Sequence, residues 1–166
     1  MATPDFKKIV VNRLREILKP LGFRKNGSTF SAQTNDVVQF VQLQSSSRTT
    51  STKLVATVNL GVFSRTIAAR VGNTRKPNIL DAQWGARIGW LMAERRDKWW
   101  EISSDEQAIE AGEELARILQ QSALPQFETI SSSQALKRLW ETGKSPGLTE
   151  HQRLQFLKAL NTMPPE

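Results

Sequence analysis

Residues 53 to 63 read Lys-Leu-Val-Ala-Thr-Val-Asn-Leu-Gly-Val-Phe, and apolar side chains occupy every second position of this stretch. Because successive side chains of a β-strand point to opposite faces, the alternation predicts a strand with one face on a hydrophobic core. The core-facing residues would be Leu54, Ala56, Val58, Leu60 and Val62. Thr57, Asn59 and Gly61 would lie on the opposite face, where Gly61 indicates a bulge or a close approach of the backbone.

The segments on either side of this strand predict the rest of a sheet. Residues 28 to 33 and 37 to 44 flank the turn-forming sequence Thr34-Asn35-Asp36 and predict a β-hairpin. Two more strands are predicted at 87 to 92 and 98 to 102, with Ile88, Trp90 and Met92 on one face. Between the strands, a helical turn is predicted at 66 to 71 and otherwise a loop over 64 to 85. The connections are too short for crossover helices, so we expect an antiparallel sheet of about five strands.

Apolar side chains spaced three and four residues apart predict helices at about 4 to 19, 105 to 121, 132 to 142 and 149 to 161. The residues predicted to cap these helices are Thr3, Ser104, Ser132 or Ser133, and Thr149. Ile109 and Leu154 lie on the expected buried stripes, and Pro125 is expected to interrupt the chain after the second helix. The sequence therefore predicts a single α+β domain over residues 1–166, an antiparallel sheet packed by an N-terminal helix and three or more C-terminal helices.

Charge is unevenly distributed along the 166 residues. Residues 1 to 100 hold 17 Lys and Arg against 6 Asp and Glu, whereas residues 101 to 166 hold 6 against 10, and the net charge is +7. A basic segment of this kind can attract a nucleic-acid or acidic protein partner, but solubility and charge complementarity between the two segments are the interpretation that we favour. No apolar stretch has the length of a signal peptide or a membrane span, and there is no Cys for disulfides, so we expect a cytoplasmic protein with no membrane partner.

The residue inventory limits catalysis. One His, no Cys and no Tyr exclude a Cys-His nucleophilic site and leave His151 as the only imidazole for a triad. The same inventory lacks the usual zinc ligands, so we predict no catalytic residue, metal or cofactor. Asp97 and Glu101 are the two carboxylates that could converge in a metal-assisted or acid–base site, although turn formation and ordinary ion pairing with the neighbouring cations explain them more simply.

A segment rich in Trp and Arg is the strongest candidate for a binding surface. Its candidate contact residues are Trp84, Arg87, Trp90, Arg95, Arg96, Lys98 and Trp99. Aromatic and cationic side chains together are typical of single-stranded nucleic-acid sites and of protein-binding hot spots. A core position is the competing interpretation, and we expect it for Trp90 and for one of Trp99 and Trp100.

Two amides on the predicted sheet are further candidates. Gln44 and Asn59 lie at a strand end or on the less apolar face, where they could bind a ligand lodged between sheet and helices. Hydrogen bonds that brace a neighbouring loop are the interpretation that we favour.

Several blocks of the sequence resemble, in order and spacing, a bacterial domain family of unknown function. These blocks include Lys19-Pro20-Leu21-Gly22-Phe23, Val58-Asn59-Leu60-Gly61-Val62-Phe63 and Asp97-Lys98-Trp99-Trp100-Glu101-Ile102. The resemblance covers about residues 5 to 130 and leaves 131–166 as a C-terminal helical extension outside it. It implies no reaction, cofactor or site residue.

The sequence thus leaves three functional hypotheses. The first is a non-enzymatic protein-binding module of the bacterial cytoplasm, of an adaptor or immunity-like kind, with an unknown protein as partner. The second is sequence-nonspecific nucleic-acid binding through the basic residues 1–100. The third is a carboxylate-dependent enzyme that uses Asp97 and Glu101.

Overall fold

A computed structural model describes residues 5–144 and 148–161. The described residues form six α-helices: α1 (Phe6–Leu18), α2 (Arg65–Arg70), α3 (Asp105–Ile118), α4 (Leu124–Thr129), α5 (Ser133–Glu141) and α6 (Glu150–Leu160). The strands are β1 (Arg24–Asn26), β2 (Thr29–Thr34), β3 (Val37–Ser45), β4 (Leu54–Ser64), β5 (Trp84–Arg87) and β6 (Trp100–Ile102). The predicted α+β fold with an antiparallel sheet, an N-terminal helix and several C-terminal helices is confirmed.

Strand β4 is the centre of the sheet. The order is β1-β2-β3-β4-β5, and β6 also pairs with β4, all antiparallel. Strand β3 occupies one edge of β4, while β5 and β6 share the other edge, opposite residues 59–62 and 54–56 respectively. Strand β5 therefore ends the sheet on one side and β1 ends it on the other.

The two faces of the sheet are covered differently. The core face carries the alternating residues that the sequence predicted in β4, and these pack with the buried side chains of α1 and α3. On the opposite face, a smaller apolar cluster of Val38, Phe40, Phe63 and Ala68 covers only one end of the sheet. The other end of that face keeps polar side chains.

Helix α1 lies against α3 with little space between them. A Cβ added at Gly112 would lie 3.1 Å from the Cβ of Arg13, and the Arg13 guanidinium is 2.7 Å from Glu113. Helices α5 and α6 also contribute to the main core, because Leu136, Trp140 and Leu160 are fully buried in it. The extension beyond residue 131 therefore packs on the same core as the sheet.

Most of the predicted helix ends are confirmed. Ser104, Ser132 and Thr149 cap α3, α5 and α6. Thr3 and Pro4 lie outside the described residues, as does the predicted turn at 145 to 147. Helix α1 begins at Phe6, because the Asp5 carboxylate accepts a hydrogen bond of 3.1 Å from the Lys8 backbone N–H.

The structure also corrects several sequence expectations. Strand β1 was not predicted, because its three exposed residues show no alternation. Pro125 does not end the helix: a π-helical stretch at 119–123 leads directly into α4, and Pro125 lies in the first turn of α4. Ile109 and Leu154, expected inside, are 54% and 52% exposed, since their helices present neighbouring residues to the core.

Candidate functional site

The Trp/Arg-rich segment does not form the hairpin predicted for it. The strand expected at 87 to 92 lies earlier, as β5, and the chain then turns through a 3-10 helix at Ile88–Leu91. Ile88 is buried there, but Trp90 points outward and is 53% exposed, so the expected core position of Trp90 is wrong. A 3-10 helix repeats every three residues, which breaks the two-residue alternation on which the strand prediction depended.

A close backbone contact closes the segment on itself. A Cβ at Gly89 would lie 2.2 Å from the carbonyl oxygen of Arg96 and 2.8 Å from the backbone nitrogen of Lys98. Only glycine allows the 3-10 helix to touch the 93–99 loop at this distance. The contact holds that loop against the chain that leaves β5.

Two ion pairs then hold the returning chain to the sheet and to α3. Arg87 lies 2.7 Å from Asp97 and 4.9 Å from the centre of the Trp99 ring, and the Trp99 indole N–H donates to the same carboxylate. Lys98 is 2.9 Å from Glu114, which also accepts a hydrogen bond from the Trp100 indole.

The hydrogen bond from Lys98, together with the positive charge of that ammonium group, lowers the pKa of the Glu114 carboxyl despite partial burial. The Trp100 indole adds to the same effect. Trp100 is buried, whereas Trp99 is half-buried, so the expectation that one member of this pair belongs to the core is met by Trp100.

A cleft of about 930 Å³ opens beside β5. Its apolar wall includes Leu91, Met92 and Leu139, and its polar groups include Ser122 and Gln126. The charged residues that line it are Arg87, Arg95 and Lys144, and no Asp, Glu or His lines it among the described residues. The cleft is therefore apolar in its interior and positive at its rim.

Two tryptophans line this cleft in different ways. Trp84 is 2% exposed and packs edge-on against Phe127, with ring centres 6.1 Å apart. Its buried indole N–H has no hydrogen-bond partner among the described residues. Trp90 lies at the opening with half of its surface in solvent. The cleft thus offers one buried unsatisfied donor and one exposed aromatic ring.

The structure brings together only part of the predicted set. Trp84, Arg87, Trp90 and Arg95 line the cleft, while Arg96, Lys98 and Trp99 do not. Sequence reasoning missed the residues that the π-helical stretch, α4, α5 and the loop after α5 contribute, which are Ser122, Gln126, Leu139 and Lys144. No local pattern marks them, because they meet β5 only through the tertiary fold.

Gln44 and Asn59 lie elsewhere, on the face of the sheet opposite α1 and α3. The Asn59 amide donates to Gln44 at 2.7 Å and to Gln42 at 3.2 Å, and Gln42 in turn donates to Thr29. These cross-strand bonds join β2, β3 and β4 directly. The favoured interpretation, bracing of a loop, is therefore wrong for this pair, and so is a position between sheet and helices.

The carboxylates do not converge. Asp97 is held by Arg87, Glu101 lies 3.3 Å from Lys53, and the described residues contain no group of three metal-ligating side chains. His151 is exposed on α6. Ion pairing thus accounts for both candidate carboxylates.

A second cleft, of about 590 Å³, lies on the outer face of the sheet. Its cations are Arg24, Arg65 and Lys76, and its apolar floor is Val38 and Phe40. No carboxylate lines it in the described part of the chain. The Arg65 guanidinium is fixed over it by a hydrogen bond of 2.9 Å to Gln33. All three cations are exposed.

None of the described helices has the length and the apolar character needed to cross a membrane. The chain matches no curated protein and no solved structure. The sequence profile of one family matches residues 14–129, which run from α1 to the end of α4 and leave α5 and α6 beyond the match. The predicted membership of a family of unknown function is confirmed: the chain belongs to the family described as a domain of unknown function (DUF4304).

Proposed function

We propose that this protein is a non-enzymatic protein-binding module, of an adaptor or immunity-like kind, which binds its partner protein at the cleft beside β5. The exposed ring of Trp90 next to Arg95 is the observation that carries the proposal. Trp and Arg at the edge of an apolar depression are the residues that contribute most to protein–protein binding energy. A half-exposed Trp also leaves apolar surface in water that a partner would cover.

The chemistry of the cleft supports binding rather than catalysis. Ser122 is the hydroxyl that lines it, and no carboxylate or imidazole of the described residues lies with it to act as a general base. The tryptophan cluster likewise gives little support to base stacking, because Trp84 and Trp100 are buried and Trp99 packs under Arg87. One exposed ring is a poor platform for successive bases.

Photo-crosslinking tests the proposal. A benzophenone amino acid placed at position 90 should trap a discrete partner in the cells that produce the protein. The same probe at Leu80, a 93% exposed residue that does not line the cleft, should not trap it. The trapped protein, once purified, should bind the wild type and lose at least about tenfold in affinity for Trp90→Ala. Equal trapping at both positions, or equal affinity for Trp90→Ala, would contradict the proposal.

Sequence-nonspecific nucleic-acid binding is the second candidate, and the outer-face cleft favours it. Arg24, Arg65 and Lys76 converge there without a carboxylate among the lining residues. If these cations contact phosphates, the logarithm of affinity for a labelled oligonucleotide should fall linearly with the logarithm of salt concentration, with a slope of about −0.7 per contact. Arg24→Glu should reduce the slope, and a flat salt response in the wild type excludes this mode.

A further inference from the structure

We propose that the partner contributes an extended acidic segment, which pairs with β5 as an additional strand of the sheet and places an apolar side chain in the cleft. This inference rests on the proposed protein-binding function and adds to it the conformation and charge of the bound segment. Three features support this inference: the free edge of β5, the cleft beside that edge, and the cations that line the cleft.

Strand β5 has one free edge. It pairs with β4 alone, and residues 84–87 make no other backbone hydrogen bond with the described residues. In an antiparallel pair, alternate residues direct their N–H and C=O groups to the two edges. The free edge of β5 therefore presents unpaired backbone groups, which are a template for another strand.

The cleft opens on this edge. The pairing register places Trp84 and Ala86 on the core face of the sheet and Gly85 and Arg87 on the opposite face, yet all four line the cleft. A cavity that touches both faces of a strand lies beside its edge. Gly85 and Ala86 are also the smallest side chains available, so another backbone can approach β5 closely.

The opposite end of the sheet is not equivalent. Strand β1 carries Arg24 and Lys25, both exposed, and charged residues on an edge discourage pairing with another chain. Strand β5 has a single cation, Arg87, at its last position, and Asp97 already pairs with it. Exposed cations thus discourage strand addition at β1, whereas β5 has no unpaired charge on its edge strand.

The cations define the charge of the segment. Arg95 and Lys144 line the cleft with Arg87 and lack a carboxylate partner among the lining residues. Acidic side chains of a bound strand would lie near this rim, and an apolar side chain between them would fill the space bounded by Leu91 and Leu139. In strand addition, backbone hydrogen bonds provide affinity, and pockets for alternate side chains provide specificity.

Two other occupants fit less well. A helix has no free backbone groups to pair with the β5 edge. A second copy of this chain joined β5 to β5 would bring two cationic clefts together, and like charges at an interface are unfavourable. An acidic extended segment can pair with the free backbone groups of β5, fill the cleft and neutralise the cations that line it.

Peptide selection tests the inference. A library of random nonapeptides displayed on phage is selected on the wild-type protein, and binders that also bind Trp90→Ala are removed. The selected peptides should combine acidic residues with a large apolar residue. Binding of the synthetic peptides should weaken about tenfold or more for Arg95→Glu and stay within about twofold for Arg48→Glu, a matched exposed cation outside the cleft.

Methylation of the peptide backbone distinguishes strand addition from other binding modes. N-methyl groups introduced one at a time should weaken binding about tenfold at every second residue and little at the residues between, because a strand bonds its neighbour through alternate residues. Peptides that need Trp90 but show no alternation would overturn strand addition and leave the proposed function standing. If no binders remain after those that also bind Trp90→Ala are removed, both the inference and the proposed function are overturned, and selected peptides without acidic residues would overturn the inference alone.

Discussion

The carboxylate of Asp36, in the turn between β2 and β3, accepts a hydrogen bond of 2.9 Å from the backbone N–H of Ser133 at the start of α5. The other carboxylate oxygen accepts a bond of 2.6 Å from the Thr66 hydroxyl in α2. The Ser133 hydroxyl oxygen also lies 2.6 Å from the hydroxyl oxygen of Ser64, which caps α2. One turn of the hairpin thus connects the sheet to a short helix and to the C-terminal extension.

Replacement of Asp36 tests this connection. Burial alone would raise the pKa of the carboxyl, but hydrogen bonds from Ser133 and Thr66 outweigh it and lower the pKa. Asp36→Asn should reduce the free energy of unfolding by about 1–3 kcal/mol at neutral pH, measured by urea denaturation. Thr66→Val, which removes only one of the two partners and keeps the charge, should have a smaller effect.

The stability difference between the wild type and Asp36→Asn should depend on pH, in a direction set by the lowered pKa of Asp36. Because the folded-state pKa of Asp36 is lowered, its stabilisation is complete above the ordinary carboxyl pKa and is lost as the pH falls through the lowered value. The difference between wild type and Asp36→Asn should therefore shrink as the pH is taken from neutral down to about 3. A difference that stays constant over this range would contradict the role of the charged form.

Trp140 provides a test of whether the C-terminal extension stabilises the core. It is fully buried, and its ring centre lies 5.9 Å from that of Phe156 in α6. Trp140→Ala should cost about 3–5 kcal/mol of unfolding free energy, because a large cavity opens in the main core. Leu154→Ala, at a half-exposed site on α6, should cost much less. A loss for Trp140→Ala as small as that for Leu154→Ala would mean that the extension packs on the core without contributing to its stability.

The parts of the fold that sequence predicts are those with a local cause. The alternation of β4 depends only on which face is buried, and the caps Ser104 and Thr149 bond to groups three residues away, so the sequence alone identifies them. Strand β1 and the 3-10 helix after β5 have no periodic pattern. Strand β1 forms by pairing with β2, and the contact of Gly89 with the 93–99 loop holds the 3-10 helix, so both depend on residues outside the segment itself.

The candidate site was only partly predictable for the same reason. Trp90 and Arg95 attract attention by composition, but their exposure depends on the Gly89 contact with Arg96, which no spacing reveals. The far wall of the cleft comes from residues near 122 and 139, which reach β5 through the packing of α4 and α5. Sequence reasoning therefore found one wall of the cleft and not the other.

Gly89 itself should be intolerant of a side chain. In Gly89→Ala the new Cβ would need to move away from the Arg96 carbonyl, which is backbone and cannot rotate aside. We expect a loss of about 1–3 kcal/mol in unfolding free energy and a changed near-ultraviolet circular dichroism signal from the nearby tryptophans. Gly85→Ala is the control, since its nearest contact would be an ordinary 3.6 Å to the Leu60 carbonyl oxygen. Similar losses in both variants would contradict the close contact.

Trp84 and Trp90 line the same cleft but should behave in opposite ways when the protein is alone. Trp84 is 2% exposed, so Trp84→Ala should cost about 3–5 kcal/mol, whereas Trp90→Ala at a half-exposed position should change the unfolding free energy by less than about 0.5 kcal/mol. Acrylamide quenching of tryptophan fluorescence reports the same difference in exposure with the milder substitution of Trp by Phe. Trp90→Phe should remove the most accessible part of the tryptophan fluorescence, and Trp84→Phe should leave it in place. If Trp90 is instead protected from acrylamide, its ring packs inside the protein and cannot be the surface that a partner covers.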